Sequence, residues 1–135
     1  MKKILIPVDF GSYAENAFVY ALRLADSIKA EIHLLHVIPP SNIDSSPFLI
    51  RPYAELLKSA KSRMQHFYHN GINVSSSFLK NRPKVSNTVR GGDLREIVND
   101  VIRDHQFDLM IMGTKGRMDD WNNVFGSTTA HLIKK

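Results

Sequence analysis

The chain has 135 residues, the size of one domain, since domains usually hold about 100–200 residues. With 43% apolar and 23% charged residues it has the composition of a globular protein with one real core, and its lack of cysteine excludes disulfides, a thiol nucleophile and Cys-ligated metal. Eighteen Lys and Arg against thirteen Asp and Glu leave a net charge of +5, which suits an anionic small molecule; without a clustered basic stripe it does not argue for nucleic acid.

Residues 4–8 form a short apolar run after Lys2 and Lys3, ended by Asp9. That is shorter than the apolar segment of about 7–15 residues in an export signal, and no stretch reaches the roughly 20 apolar residues of a membrane span. A cytoplasmic chain with no membrane partner is expected. The run instead has the pattern of a parallel strand buried on both faces. Ser12 and Glu15 are spaced as a capping box, and Ala14, Ala17, Phe18, Ala21, Leu22, Ala25 and Ile28 recur at helical spacing behind it. Residues 32–38 are a second apolar run, stopped by Pro39 and Pro40. Strand, helix and strand together make a right-handed βαβ unit.

A polar loop over 41–51 precedes a second helix, predicted from about Pro52 to Asn70 with Gly71 as its stop. Residues 72–74 and 85–89 both have strand character, and the pattern does not choose between them. Asp93 with Glu96 caps a third helix whose inner face is Leu94, Ile97, Val98, Val101 and Ile102. Residues 107–112 are the last strand signal, and a terminal helix is predicted from Gly126 through Lys135. Alternating strands and helices give an α/β class: an open, mostly parallel, Rossmann-like sheet with helices on both faces.

In such sheets ligands bind beyond the carboxyl ends of the strands, where the winding reverses. Asp9 closes the first strand and the Gly113-Thr114-Lys115-Gly116 turn closes the last; if these strands are neighbours, they line one crevice. The spacing Gly113-x2-Gly116-x9-Gly126-Ser127-Thr128 describes an anion cradle, with glycines admitting close backbone approach and a Ser-Thr helix start offering N–H groups and hydroxyls. It is neither a Walker loop nor the dinucleotide fingerprint.

The opening Ile4-Leu5-Ile6-Pro7-Val8-Asp9-Phe10, the turn Met112-Gly113-Thr114-Lys115-Gly116-Arg117 and the start Gly126-Ser127-Thr128 resemble the universal stress protein family, in its ATP-binding branch. The resemblance spans nearly the whole chain. It implies ATP, ADP or AMP as ligand, with Asp9 and Gly113 by the ribose and Val37 reading adenine through its backbone. Gly116, Gly126, Ser127 and Thr128 would hold the phosphates, and Pro7, Val8, Met112 and Arg117 complete the lining. Asp119 and Asp120 stand where the family usually carries apolar or basic residues, and would oppose a triphosphate unless they hold Mg²⁺. The 72–90 stretch is longer than in a typical member. The family's fifth strand is missing, which leaves the order 3-2-1-4 with residues 109–112 on a bare edge. A homodimer, or a tandem protein of which this is the first half, is the expected assembly.

Plainer roles compete at several positions. His33 and His36 lie three apart on a strand and point to opposite faces, so they cannot share a metal. His66 and His69 fit a solvated helix face, and Gly91-Gly92 a tight turn. Ser127 has no evident base, so a phosphate contact suits it better than a nucleophile. The reading is a stress-response binding module acting through nucleotide-dependent conformation or association. Its rivals are a slow Mg-dependent ATPase or self-phosphorylating protein, and a nucleotide-free dimerisation module.

Overall fold

The computed structural model describes residues 2–39, 53–113 and 128–132, the last for their backbone alone. The elements run β1 (Lys3–Pro7), α1 (Ser12–Ile28), β2 (Glu31–Ile38), α2 (Tyr53–Ser75), β3 (Val85–Gly91), α3 (Leu94–His105), β4 (Leu109–Gly113) and β5 (Thr128–Leu132). The sheet order is β3-β2-β1-β4-β5. The first four strands are parallel, in the expected order 3-2-1-4.

Period-2 alternation sorts the core between two faces. Ile4, Ile6, Ile32, Leu34 and Ile111 pack under α1 and α2, while Leu5, Leu35, Met110 and Met112 pack under α3. His33 and His36 fall on opposite faces by the same alternation. Asp93 caps α3 by accepting the Glu96 N–H at 3.1 Å.

Three expectations need correction. Gly71 does not stop α2, which continues to Ser75, so 72–74 is helix and 85–89 supplies the strand. A Cβ on Gly71 would overlap the ring of Phe18, itself wholly buried and stacked on Phe67 at 5.4 Å. Gly71 is thus where α1 and α2 approach, and that packing outweighs the roughly 1 kcal/mol glycine costs a helix. Second, the capping box at Ser12 does not form: Gly11 occupies the N-cap position, and no side chain caps α1. Third, residues 128–132 form no helix but pair antiparallel with β4, from Leu109↔Leu132 to Gly113↔Thr128. Thr128 and Thr129 are β-branched and suit a strand, and the pairing gives the outer N–H and C=O groups of β4 partners that a bare edge would lack. The sheet therefore has five strands.

Two polar ties join elements distant in sequence. The Asp26 carboxylate accepts the N–H groups of Lys80 at 2.9 Å and Asn81 at 2.8 Å, which hold its pKa below the ordinary value. His33 bridges β2 to β3, with Nδ1 2.7 Å from Ser86 Oγ and Nε2 2.9 Å from Thr88 Oγ1. Burial, then the positive charges of His105 and Lys3, lower the His33 pKa.

Gly71→Ala sets about 1 kcal/mol of helix propensity against about 1–3 kcal/mol of overpacking on Phe18. Net destabilisation is expected as a lower urea midpoint; an unchanged midpoint would show that the Phe18 ring is free to yield. For His33, the unfolded ring takes up its proton near 6.5 and the folded ring only at lower pH. Between those values the unfolded state binds more protons, so this contribution is full above pH 6.5 and fades as pH falls. NMR titration of the ring and denaturation across that window, beside His33→Gln, measure it; a ring titrating above 6.5 would contradict the sign.

Candidate functional site

From β1 the chain crosses through α1 to β2 on one side, and from β3 it crosses through α3 to β4 on the other. The switch point lies between β1 and β4, and their carboxyl ends border the crevice such sheets use for ligands. The register of β1 with β2 runs to Pro7↔Leu35, whereas its register with β4 ends at Leu5↔Met110. The crevice therefore opens on the β4 side, so Asp9 and the end of β4 do share one border.

Pro7 and Val8 are buried and Asp9 is half-buried. Asp9 Oδ1 accepts the Gly11 N–H at 2.9 Å, a turn within the β1–α1 connection of the kind aspartate favours. The Gly11 carbonyl then accepts the Glu15 N–H at 3.1 Å and starts α1. Asp9 thus shapes the turn into α1, while the helix itself starts at Gly11 without a side-chain cap.

Between them Phe10 adopts φ 65°, a left-handed conformation that costs a non-glycine residue about 1–2 kcal/mol. Its ring lies 4.3 Å from the His36 ring and 6.0 Å from Phe67, with the Arg63 guanidinium 4.6 Å above it. His36 Nδ1 donates to the Val8 carbonyl at 2.7 Å, so that nitrogen carries the proton. Phe10, His36 and Arg63 form a layer at the carboxyl end of β1, toward β2 and α2, that sequence reasoning missed. Phenylalanine gives no sign of a positive φ, and the three residues lie on separate elements.

Met112 and Gly113 are buried at the end of β4. A Cβ on Gly113 would overlap the backbone of Tyr13, so this glycine lets β4 press against the first turn of α1. Gly113 is cross-strand from Thr128, which brings two ends of the glycine motif together beside that turn. The bonds Glu31 N–H to Lys2 and Val8 N–H to Leu35 set the alternation along β2. By it the Val37 backbone faces the β1 side, past the last residue of β1. Gly116, Arg117, Asp119, Asp120, Trp121, Gly126 and Ser127 lie outside the described residues. His66 and His69 are exposed, and among the described residues no three His, Asp or Glu gather as a metal centre.

Residues 1–135 match the universal stress protein family. The chain is 28% identical over 144 residues to Universal stress protein MJ0577 of Methanocaldococcus jannaschii, covering 99% of this chain and 89% of that protein. A solved structure of MJ0577 superposes with a TM-score of 0.61 at 26% identity, over 87% of this chain and 78% of that one. UspA of Lactobacillus plantarum gives 0.69 at 23% identity, over 87% and 80%. A universal stress protein solved in complex with cAMP shares the fold at 0.52 and 14% identity, over 93% and 83%. Over its whole length, then, the chain belongs to the universal stress protein family.

Proposed function

We propose that the protein is an adenine-nucleotide-binding module, with ATP as its ligand, whose output is a nucleotide-dependent change in conformation or association. The observation that carries this reading is the convergence at the switch point. Asp9, the first turn of α1 and the Gly113–Thr128 pair border one crevice, with the Val37 backbone directed past the end of β1.

The residues present fit such a ligand. A carboxylate at a strand end can accept ribose hydroxyls, which is the role of Asp9. A strand backbone with an N–H and a C=O on one side can read the adenine edge, which is the role of Val37. The first turn of α1 adds N–H groups and the positive end of the helix dipole. Pro7, Val8 and Met112 supply apolar walls. Gly113 belongs by the ribose, and Thr128 beside it helps close the phosphate end. Gly116, Arg117, Gly126 and Ser127 complete that end by the motif spacing, with Mg²⁺ held by Asp119 and Asp120 if it accompanies the triphosphate. Membership of the family and the likeness to MJ0577 support the assignment. The cAMP complex is a fold neighbour's own, and an adenine nucleotide here is in keeping with it. The partner in association is a second copy or a tandem domain, and the setting is the cytoplasm. Among the described residues no helix is long and apolar enough to cross a membrane.

Mass spectrometry of the nucleotide that co-purifies with the chain tests the ligand class, and an adenine nucleotide is expected. Asp9→Ala should weaken ATP and AMP by similar factors, because both carry the ribose; a loss confined to ATP would move Asp9 to the phosphates. Gly126→Asp should lower ATP affinity by more than about tenfold, or about 1.4 kcal/mol. Calorimetry on folded variants reads both, and unchanged affinity in Gly126→Asp would remove the motif from the site. ADP release in the presence of Mg²⁺ would make the protein an enzyme instead.

A further inference from the structure

Asp9 stands between two anchored neighbours. Before it, the Val8 N–H donates to the Leu35 carbonyl at 2.8 Å, and the Val8 carbonyl accepts from His36 Nδ1 at 2.7 Å. Both backbone polar groups of Val8 are therefore held by β2, one residue past the end of β1. After it, Phe10 takes φ 65°, and that turn carries the Gly11 N–H round to Asp9 Oδ1 at 2.9 Å. A bulky residue in a left-handed conformation persists only where its surroundings over-determine it, and such residues gather at ligand clamps.

Here the surroundings are α2 and β2. Arg63 and Phe67 are four residues apart on α2 and so share a face of the helix. The Arg63 guanidinium stands 4.6 Å above the centre of the Phe10 ring, and the Phe67 ring meets it edge-on at 6.0 Å. Phe67 is 5% exposed and stacks on Phe18 of α1, so the core fixes that wall. Arg63 is exposed, and among the described residues it has no ion-pair partner. Its contact with the Phe10 ring therefore ties α2 to the residue that follows Asp9. His36 joins the two anchors, because one ring both donates to Val8 and lies 4.3 Å from the ring of Phe10.

Hydrogen bonds weaken steeply as they bend, so a carboxylate that accepts ribose hydroxyls depends on how its backbone is held. We infer that His36 and Arg63 are positioning residues for Asp9: His36 fixes the peptide before it, Arg63 fixes the ring after it, and together they aim its carboxylate at the ribose. The inference rests on the nucleotide reading above. It adds that affinity is set in part from α2, through Phe10, by a side chain on a different element from the carboxylate it serves.

Calorimetry on the full chain with ATP and with AMP, for single variants and in an Asp9→Ala background, tests the role. Arg63→Ala should weaken both nucleotides alike by about twofold to fivefold, the worth of one exposed cation–π contact. Arg63→Lys keeps a cation over the ring and should recover most of that loss. His36→Leu removes the donor to Val8 and should weaken both by about threefold to tenfold, and His36→Asn, whose Nδ2 can stand where Nδ1 stood, by less. In the Asp9→Ala background neither Arg63→Ala nor His36→Leu should weaken binding further, because the carboxylate they position is gone. Urea midpoints show which variants stay folded, and Arg63→Ala, at an exposed site, keeps the test open if a His36 variant does not. Unchanged affinity in folded Arg63→Ala, a loss for ATP alone, or an equal loss in the Asp9→Ala background would each overturn the positioning role while leaving the nucleotide reading in place. An unaltered chain that binds neither nucleotide would overturn that reading, and this role in binding with it.

Discussion

β1 lies between β2 and β4, and its residues Ile4, Leu5 and Ile6 have no exposure at all. A strand covered on both faces and paired along both edges can meet a ligand only at its ends. The two crossovers leave in opposite directions, so its carboxyl end is also where no connection spans the sheet. α1 begins within a few residues of that end and brings its unpaired N–H groups to the same place. The glycine at 113 completes the arrangement, because any larger residue would hold β4 off the Tyr13 backbone.

The approach to the crevice contains a strained residue and its compensation. The left-handed Phe10 costs about 1–2 kcal/mol. A cation–π contact with Arg63 returns about 0.5–1 kcal/mol at an exposed site, and the ring contacts with His36 and Phe67 return about 0.5–1.5 kcal/mol each. Together the contacts return about 1.5–4 kcal/mol, enough to offset that cost, so the turn persists only while its neighbours on α2 and β2 stay in place. His36 also holds the Val8 carbonyl, so the end of β1, the strained turn and α2 form one connected unit.

The sheet was legible where local pattern and tertiary role agree. The apolar runs at 4–8, 32–38 and 107–112 have the pattern of strands buried on both faces, and the Asp93–Glu96 spacing marked a helix start that the structure retains. It was illegible where a long-range contact overrules local preference. Gly71 carries the signature of a helix stop, but the ring that makes it a packing glycine is contributed by Phe18, on another helix. Ser12 has the spacing of a cap, but the N-cap position falls to Gly11, whose amide Asp9 holds in the preceding turn. At 128–132 a glycine-serine-threonine helix signal gives way to the outer edge of β4. Of the candidate site, Asp9 and Gly113 could be read from strand ends and glycine spacing, and Val37 from the family resemblance alone. The supporting Phe10, His36 and Arg63 could not, because no local signal connects them.

The length of α2 bears on how the chain returns to the sheet. Its 23 residues extend about 34 Å at 1.5 Å per residue. The 7 residues of β3 that it precedes extend only about 23 Å at 3.3 Å per residue. The helix therefore overruns the strand by about two turns, and the chain must double back before β3 can begin. Residues 76–84 make that return, fastened where Asp26 of α1 takes the amides of Lys80 and Asn81, with the Arg23 guanidinium 3.8 Å from the centre of the Phe78 ring. Length added there is rigid overhang with a clasped end, set away from the sheet's registers. Such a protrusion can grow or shrink by whole turns between relatives while every strand keeps its neighbours.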